Sequence, residues 1–330
     1  MQRLEQLSRW LNDLYPGEIG EILPASEDAG FRRYFRVSIA GTNRIVMDAP
    51  PEREDCRPFL RVGEIFRAAG VHVPEVCAQD LRQGFLLLSD LGPTTYLDKL
   101  NADNADRLFA DAIDALIRIQ LASEAGALPA YSRELLLREM QLFPDWYIGT
   151  HCATSLSAES AAALGTVFER IVENNLRQPS VFVHRDYMPR NLMVSQPNPG
   201  VLDFQDAVYG PIAYDVLTLF KDAFLSWEEE RVLDWVRGYW NRARRADLPV
   251  NADFSVFYRD WEWMGVQRHL KVLGIFARLN YRDGKPRYLA DAPRFVGYVR
   301  EVAGRHSELS ALVQVLDALE GKVRPAMGHS

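Results

Sequence analysis

Two short, mostly apolar segments contain most of the polar residues of this chain that are candidates for catalysis. Residues 181–194 read VFVHRDYMPRNLMV, and residues 200–215 read GVLDFQDAVYGPIAYD. Short apolar runs bounded by polar residues, glycine and proline are typical of buried β-strands. The pattern predicts two compact strands within a largely helical region, each interrupted by polar side chains. The polar segment 184–191 and the aspartate Asp203 are therefore the first candidates for a functional site.

The segment 184–191 has the sequence His-Arg-Asp-Tyr-Met-Pro-Arg-Asn, and Asp203 follows Asn191 by twelve residues. This spacing matches the H-R-D-x-x-x-x-N catalytic loop of kinases, with Asp203 in place of the D-F-G aspartate and Gln205 in place of its glycine. Phosphoryl transfer from ATP needs positioning and charge neutralisation more than covalent help. Magnesium prefers hard oxygen ligands, commonly one or two carboxylates together with phosphate oxygens. We expect Asn191 and Asp203 to hold magnesium and Asp186 to be the catalytic base that orients the acceptor hydroxyl.

Two neighbouring residues have structural interpretations. We expect His184 to brace the backbone of the loop instead of ligating a metal. Asp215, twelve residues after Asp203, is either a helix N-cap or a buried carboxylate that holds the amides of the loop. The alternative for the whole segment is a structural β-hairpin with carboxylates on its surface.

Composition excludes several classes of protein. The chain has 330 residues, of which 48% are hydrophobic and 25% charged, and this balance excludes disorder throughout. A net charge of -7 without a basic stripe argues against a nucleic-acid partner. Apolar runs such as residues 85–88 are too short to cross a bilayer, and the charged N-terminus does not resemble a signal peptide, so no membrane association is expected. Three widely spaced cysteines fit neither a disulfide framework nor a zinc site, and they agree with a cytoplasmic location.

The order of predicted elements is that of a small sheet-rich lobe followed by a larger helical lobe. A helix is predicted over residues 1–15, a hairpin-like β-region over residues 18–48 and a second helix over residues 58–69. Further strands are predicted at 71–76 and 85–88, and further helices at 103–122, 157–176, 214–224, 228–245, 254–279 and 291–319. We therefore predict an α+β fold with an N-lobe over residues 1–90 and a C-lobe over residues 91–330 that carries the catalytic loop. No obligate protein partner is expected.

With these motifs the sequence resembles the aminoglycoside phosphotransferase/choline kinase-like superfamily, a branch of the protein-kinase fold. The resemblance covers roughly residues 20–290 and rests on HRDYMPRN, LDFQD, GPIAYD and FLLLSDLG. The segments GFRRYFRV, IVMDAPPE and VQRHLKVLGIFARLNYRDGK are most similar to the anomeric sugar kinases of peptidoglycan recycling. Those enzymes phosphorylate the 1-hydroxyl of N-acetylmuramate and N-acetylglucosamine. The resemblance implies a two-lobed protein-kinase-like fold and the use of ATP and Mg²⁺.

The resemblance also implies a nucleotide site in the N-lobe, with a loop over the ATP phosphates at residues 26–33 and a hinge at residues 87–91. The residues implied to bind the nucleotide are Gly30, Phe31, Arg32, Arg33, Leu88, Ser89, Asp90 and Leu91. Kinases hold the α- and β-phosphates with a third-strand lysine, but Met47 stands at or near that position and the first 98 residues contain no lysine. Arg32 and Arg33 are candidates to replace it, because a guanidinium matches phosphate oxygens. The alternative is that both are solvated strand residues.

The acceptor site is expected in the helical lobe. An amino sugar requires hydrogen-bonding groups and an aromatic wall, and the carboxylate of N-acetylmuramate also requires a cation. A helix break at residues 143–147 supplies aromatic side chains, and a polar run follows the Trp-Glu-Trp segment. The residues expected to bind the acceptor are Glu139, Trp146, Arg185, Gln205, Trp263, Arg268 and His269. The alternatives are that the tryptophans belong to the core and that Arg268 and Lys271 lie on a solvated helix face.

These observations predict a kinase that phosphorylates the anomeric hydroxyl of N-acetylmuramate or N-acetylglucosamine. One alternative is a kinase of another small acceptor, such as an aminoglycoside, a choline-like amino alcohol or homoserine. A second alternative is a catalytically inactive nucleotide-binding scaffold, which the missing lysine suggests. The presence of both Asp186 and Asp203 argues against the scaffold, because inactive relatives commonly lose these carboxylates. A protein substrate is not expected, because residues 203–215 leave no room for a long activation loop.

Overall fold

The computed structural model describes residues 2–26 and 31–322. The chain packs as two compact units, each built from two separate stretches of sequence. One unit comprises Met1–Ala122 and Pro189–Ala207, and the other comprises Ser123–Met188 and Val208–Ser330. These units group the chain differently from the division at residue 90, which stays a prediction about the two lobes.

The helices and strands have the following bounds in the described residues. The helices are α1 (Gln2–Leu14), α2 (Arg57–Ala68), α3 (Tyr96–Lys99), α4 (Ala105–Leu121), α5 (Arg133–Leu142), α6 (Ala158–Arg177), α7 (Tyr214–Phe220), α8 (Glu229–Arg245), α9 (Phe254–Tyr281), α10 (Ala292–Arg305) and α11 (Ser310–Leu319). The strands are β1 (Ile19–Ser26), β2 (Arg33–Ile39), β3 (Thr42–Asp48), β4 (Val76–Asp80), β5 (Phe85–Ser89), β6 (Ser180–Val183), β7 (Leu192–Met193), β8 (Gly200–Val201) and β9 (Val208–Pro211). A π-helix spans Phe143–His151, and 3₁₀ turns span Pro189–Asn191, Pro286–Asp291 and Ser307–Leu309.

A five-stranded antiparallel sheet forms the centre of the first unit, in the order β1-β2-β3-β5-β4. Helix α1 buries Leu7, Trp10 and Leu11 in one apolar cluster with sheet residues that include Val46 and Phe85. The rings of Trp10 and Phe85 lie 5.6 Å apart, centre to centre. The apolar stripe of the N-terminal segment is thus covered by the sheet, which is why an otherwise charged segment forms a stable helix.

Helix α2 is joined to the 200–207 segment by aromatic packing within the same unit. Phe204 stacks on Phe59 with ring centres 4.8 Å apart and lies 5.8 Å from Phe66. A Cβ atom at Gly63 would lie 3.2 Å from the Phe204 ring, so glycine allows this close approach. The packing fixes the backbone directly after Asp203.

Helix α9 is the centre of the second unit, where it packs against α5, α6, α7, α8, α10 and the π-helix. Every residue from Trp261 to Gly274 is buried, so the helix is enclosed on all sides. Glycine at position 274 is required by packing, because a Cβ atom there would lie 2.4 Å from the carbonyl carbon of Leu142. The buried stretch nevertheless contains Arg268 and Lys271, and charges in such surroundings need partners.

Most predicted elements are confirmed, and three are wrong in instructive ways. The strand predicted at 71–76 is absent, because Pro74 has no amide proton to donate to a neighbouring strand; the strand begins at Val76 instead. The break predicted at residues 143–147 is a continuous π-helix, with Pro144 in its first turn, where a missing N–H is tolerated. The helix predicted over 291–319 is divided by the turn at Ser307–Leu309.

No helix among the described residues is long and apolar enough to cross a membrane.

Candidate active site

A buried carboxylate in helix α5 gathers the polar residues of the second unit. Glu139 accepts hydrogen bonds from Lys271 Nζ at 2.8 Å and from Gln267 Nε2 at 3.1 Å. The Tyr131 hydroxyl and the Arg185 guanidinium donate to the same carboxylate. Four donors therefore surround one buried anion, and they come from α9, from the segment before α5 and from the loop after β6.

The charge of Glu139 is set by its cationic neighbours. Burial by itself raises the pKa of Glu139, but the charges of Lys271 and Arg185 outweigh this effect and lower the pKa from 4.5 to about 2. The residue is therefore a carboxylate at neutral pH. Because it already accepts from four donors, its first role is to balance the two cations.

Asp186 lies beside Arg268, which is a second cation of helix α9 in addition to Lys271. Arg268 Nη2 is 3.1 Å from Asp186 Oδ1, and Arg268 Nη1 donates to the Tyr214 hydroxyl at 2.9 Å. Burial would raise the pKa of Asp186, but the charges of Arg268, Lys271 and Arg185 hold this pKa below its ordinary value. The Asp186 side chain remains 37% exposed. It is thus an ionised and accessible carboxylate, which is what orienting an acceptor hydroxyl requires.

The backbone around Asp186 is held by two buried side chains. Asp215 accepts the amide protons of His184 at 2.6 Å and of Arg185 at 3.0 Å. The N-cap of α7 is Ala213, so Asp215 makes the contacts expected of a carboxylate that holds the loop amides. Burial raises the pKa of Asp215 to about 7, although these two amide bonds lower it. His184 is fully buried, and its Nδ1 accepts the amide proton of Asp186 at 3.3 Å, which fits bracing of the loop.

Asn191, Asp203 and Gln205 come together in the first unit. Asn191 Nδ2 lies 3.3 Å from Asp203 Oδ2, and Gln205 Nε2 lies 2.8 Å from Asp203 Oδ1. Strands β7 and β8 pair between Asn191 and Asp203, and the Leu202 amide donates to the Asn191 carbonyl at 2.9 Å. Asp203 has a φ of 63°, a left-handed conformation that turns the chain sharply after β8.

This group of side chains fits a magnesium ion. It supplies one carboxylate and two side-chain amides, whose oxygens are the hard donors that Mg²⁺ prefers. The Gln205 Oε1 atom is buried and has no hydrogen-bond partner, so an acceptor in this group is still unsatisfied. Within residues 2–26 and 31–322, no group of three or more His, Cys, Asp or Glu side chains could hold a metal ion. Magnesium held at Asp203 would take its further ligands from phosphate oxygens and water, as is usual for this ion.

The residues implied to hold phosphates are paired with carboxylates in the first unit. Arg33 Nε donates to Asp48 Oδ2 at 3.1 Å, and Arg3 Nε donates to Asp48 Oδ1 at 3.1 Å. Arg32 Nη2 donates to Glu54 Oε2 at 3.0 Å. Asp48 is fully buried, whereas the Arg33 side chain is 48% exposed. Because side chains alternate along a strand, Asp48 and Arg33 lie on the face of the sheet that α1 covers, opposite to the face of Met47.

The remaining residues implied in nucleotide binding have separate surroundings. Phe31 is exposed, and the Arg53 guanidinium lies 4.6 Å from its ring centre, whereas Gly30 lies outside the described residues. Leu88 and Ser89 end strand β5. Asp90 accepts from Arg36 Nε at 2.6 Å and from the Gly92 amide at 2.9 Å, so its side chain holds the segment that contains Leu91.

Three of the seven residues predicted to bind the acceptor share one network, and the other four have separate surroundings. Glu139, Arg185 and Arg268 belong to the charged network that includes Asp186. Trp263 is buried, and its ring faces His306 and the Arg259 guanidinium. His269 is buried against Phe295 and Tyr298. Trp146 is partly buried in the π-helix, and Gln205 belongs to the group around Asp203.

Sequence reasoning missed two tyrosines and one aspartate. Tyr131 and Tyr214 supply the hydroxyls that contact Glu139, Arg268 and Lys271, but each stands in an apolar segment that resembles core. Asp48 was not singled out, although it follows Met47 directly. No local signal marks Asp48, because its partners Arg3 and Arg33 lie on α1 and β2.

Comparison with known proteins identifies chains of similar sequence and fold. A family model described as "Phosphotransferase enzyme family" matches residues 21–250. The N-acetylmuramate/N-acetylglucosamine kinase of Pseudomonas putida is 53% identical over 332 residues, which cover 98% of this chain and 98% of that protein. These matches confirm the family resemblance predicted from the sequence.

Two solved structures share the fold at low sequence identity. The choline kinase LicA of Streptococcus pneumoniae superimposes with a TM-score of 0.65 at 11% identity and covers 91% of this chain and 100% of its own. The ADP-bound aminoglycoside phosphotransferase APH(2'')-Ib gives a TM-score of 0.59 at 15% identity and covers 90% of this chain and 98% of its own. The predicted protein-kinase-like fold class is confirmed.

The Glu139 network leads to a prediction about stability. Replacing Glu139 with Gln leaves Arg185 and Lys271 without their buried counter-charge, so Glu139→Gln should lower the free energy of unfolding by about 3 kcal/mol at neutral pH. The depressed pKa stabilises the fold fully above pH 4.5, and this contribution disappears as the pH falls toward about 2. Urea unfolding at several pH values measures the difference.

The control for this prediction is Glu173→Gln, which changes an exposed glutamate of α6 and should leave stability within about 0.5 kcal/mol. If Glu139→Gln lowers the free energy of unfolding by the same amount at every pH down to 2, charge balance is not the cause of the lost stability.

Proposed function

This chain belongs to the phosphotransferase enzyme family, and we propose that it transfers the γ-phosphoryl group of ATP to the anomeric hydroxyl of N-acetylmuramate or N-acetylglucosamine. The observation that carries the proposal is the accessible Asp186 carboxylate held among Arg268, Lys271 and Arg185. The likeness to the Pseudomonas putida kinase over nearly the whole of both chains supports the choice of acceptor.

Asp186 acts on the acceptor hydroxyl. Its carboxylate accepts a hydrogen bond from the anomeric O–H and directs the oxygen toward the γ-phosphorus. The transition state of phosphoryl transfer is loose, so the proton leaves late and a weakly basic carboxylate suffices. An anomeric hydroxyl is also more acidic than an ordinary alcohol, which lowers the demand on the base further.

Asn191 and Asp203 would hold magnesium, with Gln205 beside them, and an ion held there would neutralise charge on the phosphate oxygens of ATP. The protein contributes the fixed positions of the donors, which follow from the β7–β8 pairing and from the packing of Phe204 on α2. The ADP found in the related aminoglycoside phosphotransferase supports an adenine nucleotide as the donor.

Arg32 takes the place of the missing lysine in this proposal. Its guanidinium pairs with Glu54 and is also attracted by Asp206, which follows Asp203 by three residues. Arg33 is less suitable, because it pairs with Asp48 beside Arg3 of α1, on the face of the sheet opposite to Met47. The segment 88–91 would contact adenine through its backbone.

The acceptor is bound by groups of the helical region, of which Arg185 and Trp146 are candidates for polar and aromatic contacts. The reaction would belong to peptidoglycan recycling in the cytoplasm, with a free amino sugar as substrate. Neither a nucleic acid nor a membrane nor a protein partner is part of this proposal.

An acceptor panel tests the proposal. Purified protein with ATP and Mg²⁺ should release ADP when N-acetylmuramate or N-acetylglucosamine is added, and the release should stop when EDTA removes the metal. Kanamycin, choline and homoserine serve as comparison acceptors in the same coupled assay. Faster turnover with any of these three than with both sugars would replace the proposed acceptor.

Substitution of the base gives a second prediction. Asp186→Asn keeps the size of the side chain but removes its charge, so kcat should fall by about 10²–10⁴-fold with both sugars. The control Asp234→Asn changes an exposed aspartate of α8 and should retain full activity. Circular dichroism and thermal unfolding confirm that both variants are folded. An Asp186→Asn enzyme with wild-type kcat would remove Asp186 from the mechanism.

A further inference from the structure

Arg268 links Asp186 to helix α7 through both ends of its guanidinium. One terminal nitrogen lies 3.1 Å from Asp186 Oδ1, and the other donates to the Tyr214 hydroxyl at 2.9 Å. Only a planar group with several donors in fixed directions can make both contacts at once. The Arg268 side chain is 9% exposed, so nearly all of it lies inside the protein.

The position of Arg268 is fixed by its neighbours on α9. Lys271 donates to the same Tyr214 hydroxyl at 3.3 Å and pairs with Glu139 at 2.8 Å. Gln267 donates to Glu139 at 3.1 Å. Tyr214 thus joins Arg268 to Lys271, and Glu139 joins Lys271 to Gln267. Of these three α9 side chains, Arg268 is the one that donates to Asp186.

The burial of Arg268 separates two roles that its charge could serve. A residue that binds a sugar carboxylate must present its guanidinium to the incoming ligand. The Arg268 guanidinium is instead enclosed and already bonded to a carboxylate and a hydroxyl, whereas the Asp186 side chain next to it is 37% exposed. The arrangement is that of a support behind an accessible group.

We propose that Arg268 is a positioning residue, which holds the Asp186 carboxylate in the orientation that the acceptor hydroxyl requires and does not itself bind the amino sugar. The inference rests on the proposed function. Its physical basis is the high sensitivity of transfer reactions to geometry, since a displacement of about 1 Å can cost roughly 10²-fold in rate. It assigns Arg268 a role different from the acceptor binding expected from the sequence.

The two sugars distinguish positioning from binding. N-acetylmuramate carries a carboxylate and N-acetylglucosamine does not. A positioning role lowers kcat by the same factor for both acceptors and leaves each KM near its wild-type value. A role in binding the sugar carboxylate raises KM for N-acetylmuramate alone.

The test compares Arg268→Gln, Arg268→Lys and the wild type in steady-state kinetics with both acceptors. Arg268→Gln should lose about 10²-fold in kcat with either sugar. Arg268→Lys should recover part of this loss, because an ammonium can pair with Asp186 but cannot reach Asp186 and Tyr214 in the same geometry. Arg259→Gln is the control, since Arg259 is an exposed arginine of the same helix, paired with Glu308.

If Arg268→Gln does not fold, the variant Tyr214→Phe tests the same inference. It removes the oxygen to which Arg268 and Lys271 donate and leaves both cations in place, so kcat should fall several-fold, equally for the two sugars. Wild-type kcat in the folded variants, or a loss confined to KM for N-acetylmuramate, would overturn the inference. A failure of the proposed function is a different result, because the wild type itself would then phosphorylate neither sugar.

Discussion

The stability of the second unit depends on the balance of charge around helix α9, whose central turns have no exposed face. Helix α9 carries Arg268 and Lys271 through the interior, and two buried cations are tolerated only when anions and hydroxyls meet them. Glu139 and Asp186 supply the anions, and the Tyr214 hydroxyl accepts from both cations. Tyr131 donates its hydroxyl proton to Glu139. Helices α5, α7 and α9 and the loop after β6 are therefore joined by polar contacts that would be costly to break.

This balance has a direct consequence for catalysis. The same cations that stabilise the interior keep Asp186 ionised, and Arg268 fixes one of its oxygens. In the proposed reaction the carboxylate would therefore need no rearrangement before it meets an acceptor. Asp215 accepts the amide protons of His184 and Arg185, and His184 accepts that of Asp186, so the backbone leading into the carboxylate is held as well. A rigid and weakly basic carboxylate suits phosphoryl transfer, in which positioning contributes more than proton abstraction.

The local parts of the candidate site could be predicted from the sequence, and the long-range parts could not. His184, Asp186, Asn191 and Asp203 lie within twenty residues, and their spacing alone indicated the chemistry. The pairing of Glu139 with Lys271 joins positions far apart in the chain, and nothing in either local segment specifies the other. Tyr131 and Tyr214 were missed because a buried hydroxyl next to apolar residues has the same local pattern as core.

The fold was predictable to a similar degree and for similar reasons. Periodicity identified most of the helices, because these have one apolar stripe or are apolar throughout, but it did not identify α3 or α5. The strand misplaced at 71–76 and the break predicted at 143–147 both contain a proline whose effect depends on its exact place in the element. The substitute for the N-lobe lysine could be sought among Arg32 and Arg33, but the choice between them rests on the pairing of β2 with β3, which puts Arg33 on the sheet face opposite to Met47 and which only the structure gives.

The position of the new phosphate tests the central claim most directly. The product of N-acetylglucosamine and ATP can be studied by phosphorus–proton correlation NMR without substitution of any residue. If Asp186 directs the anomeric hydroxyl to the γ-phosphorus, the phosphorus signal should couple to the sugar H1 proton. Coupling to the two H6 protons instead would contradict the account, because the phosphoryl group would then have been transferred to a different hydroxyl.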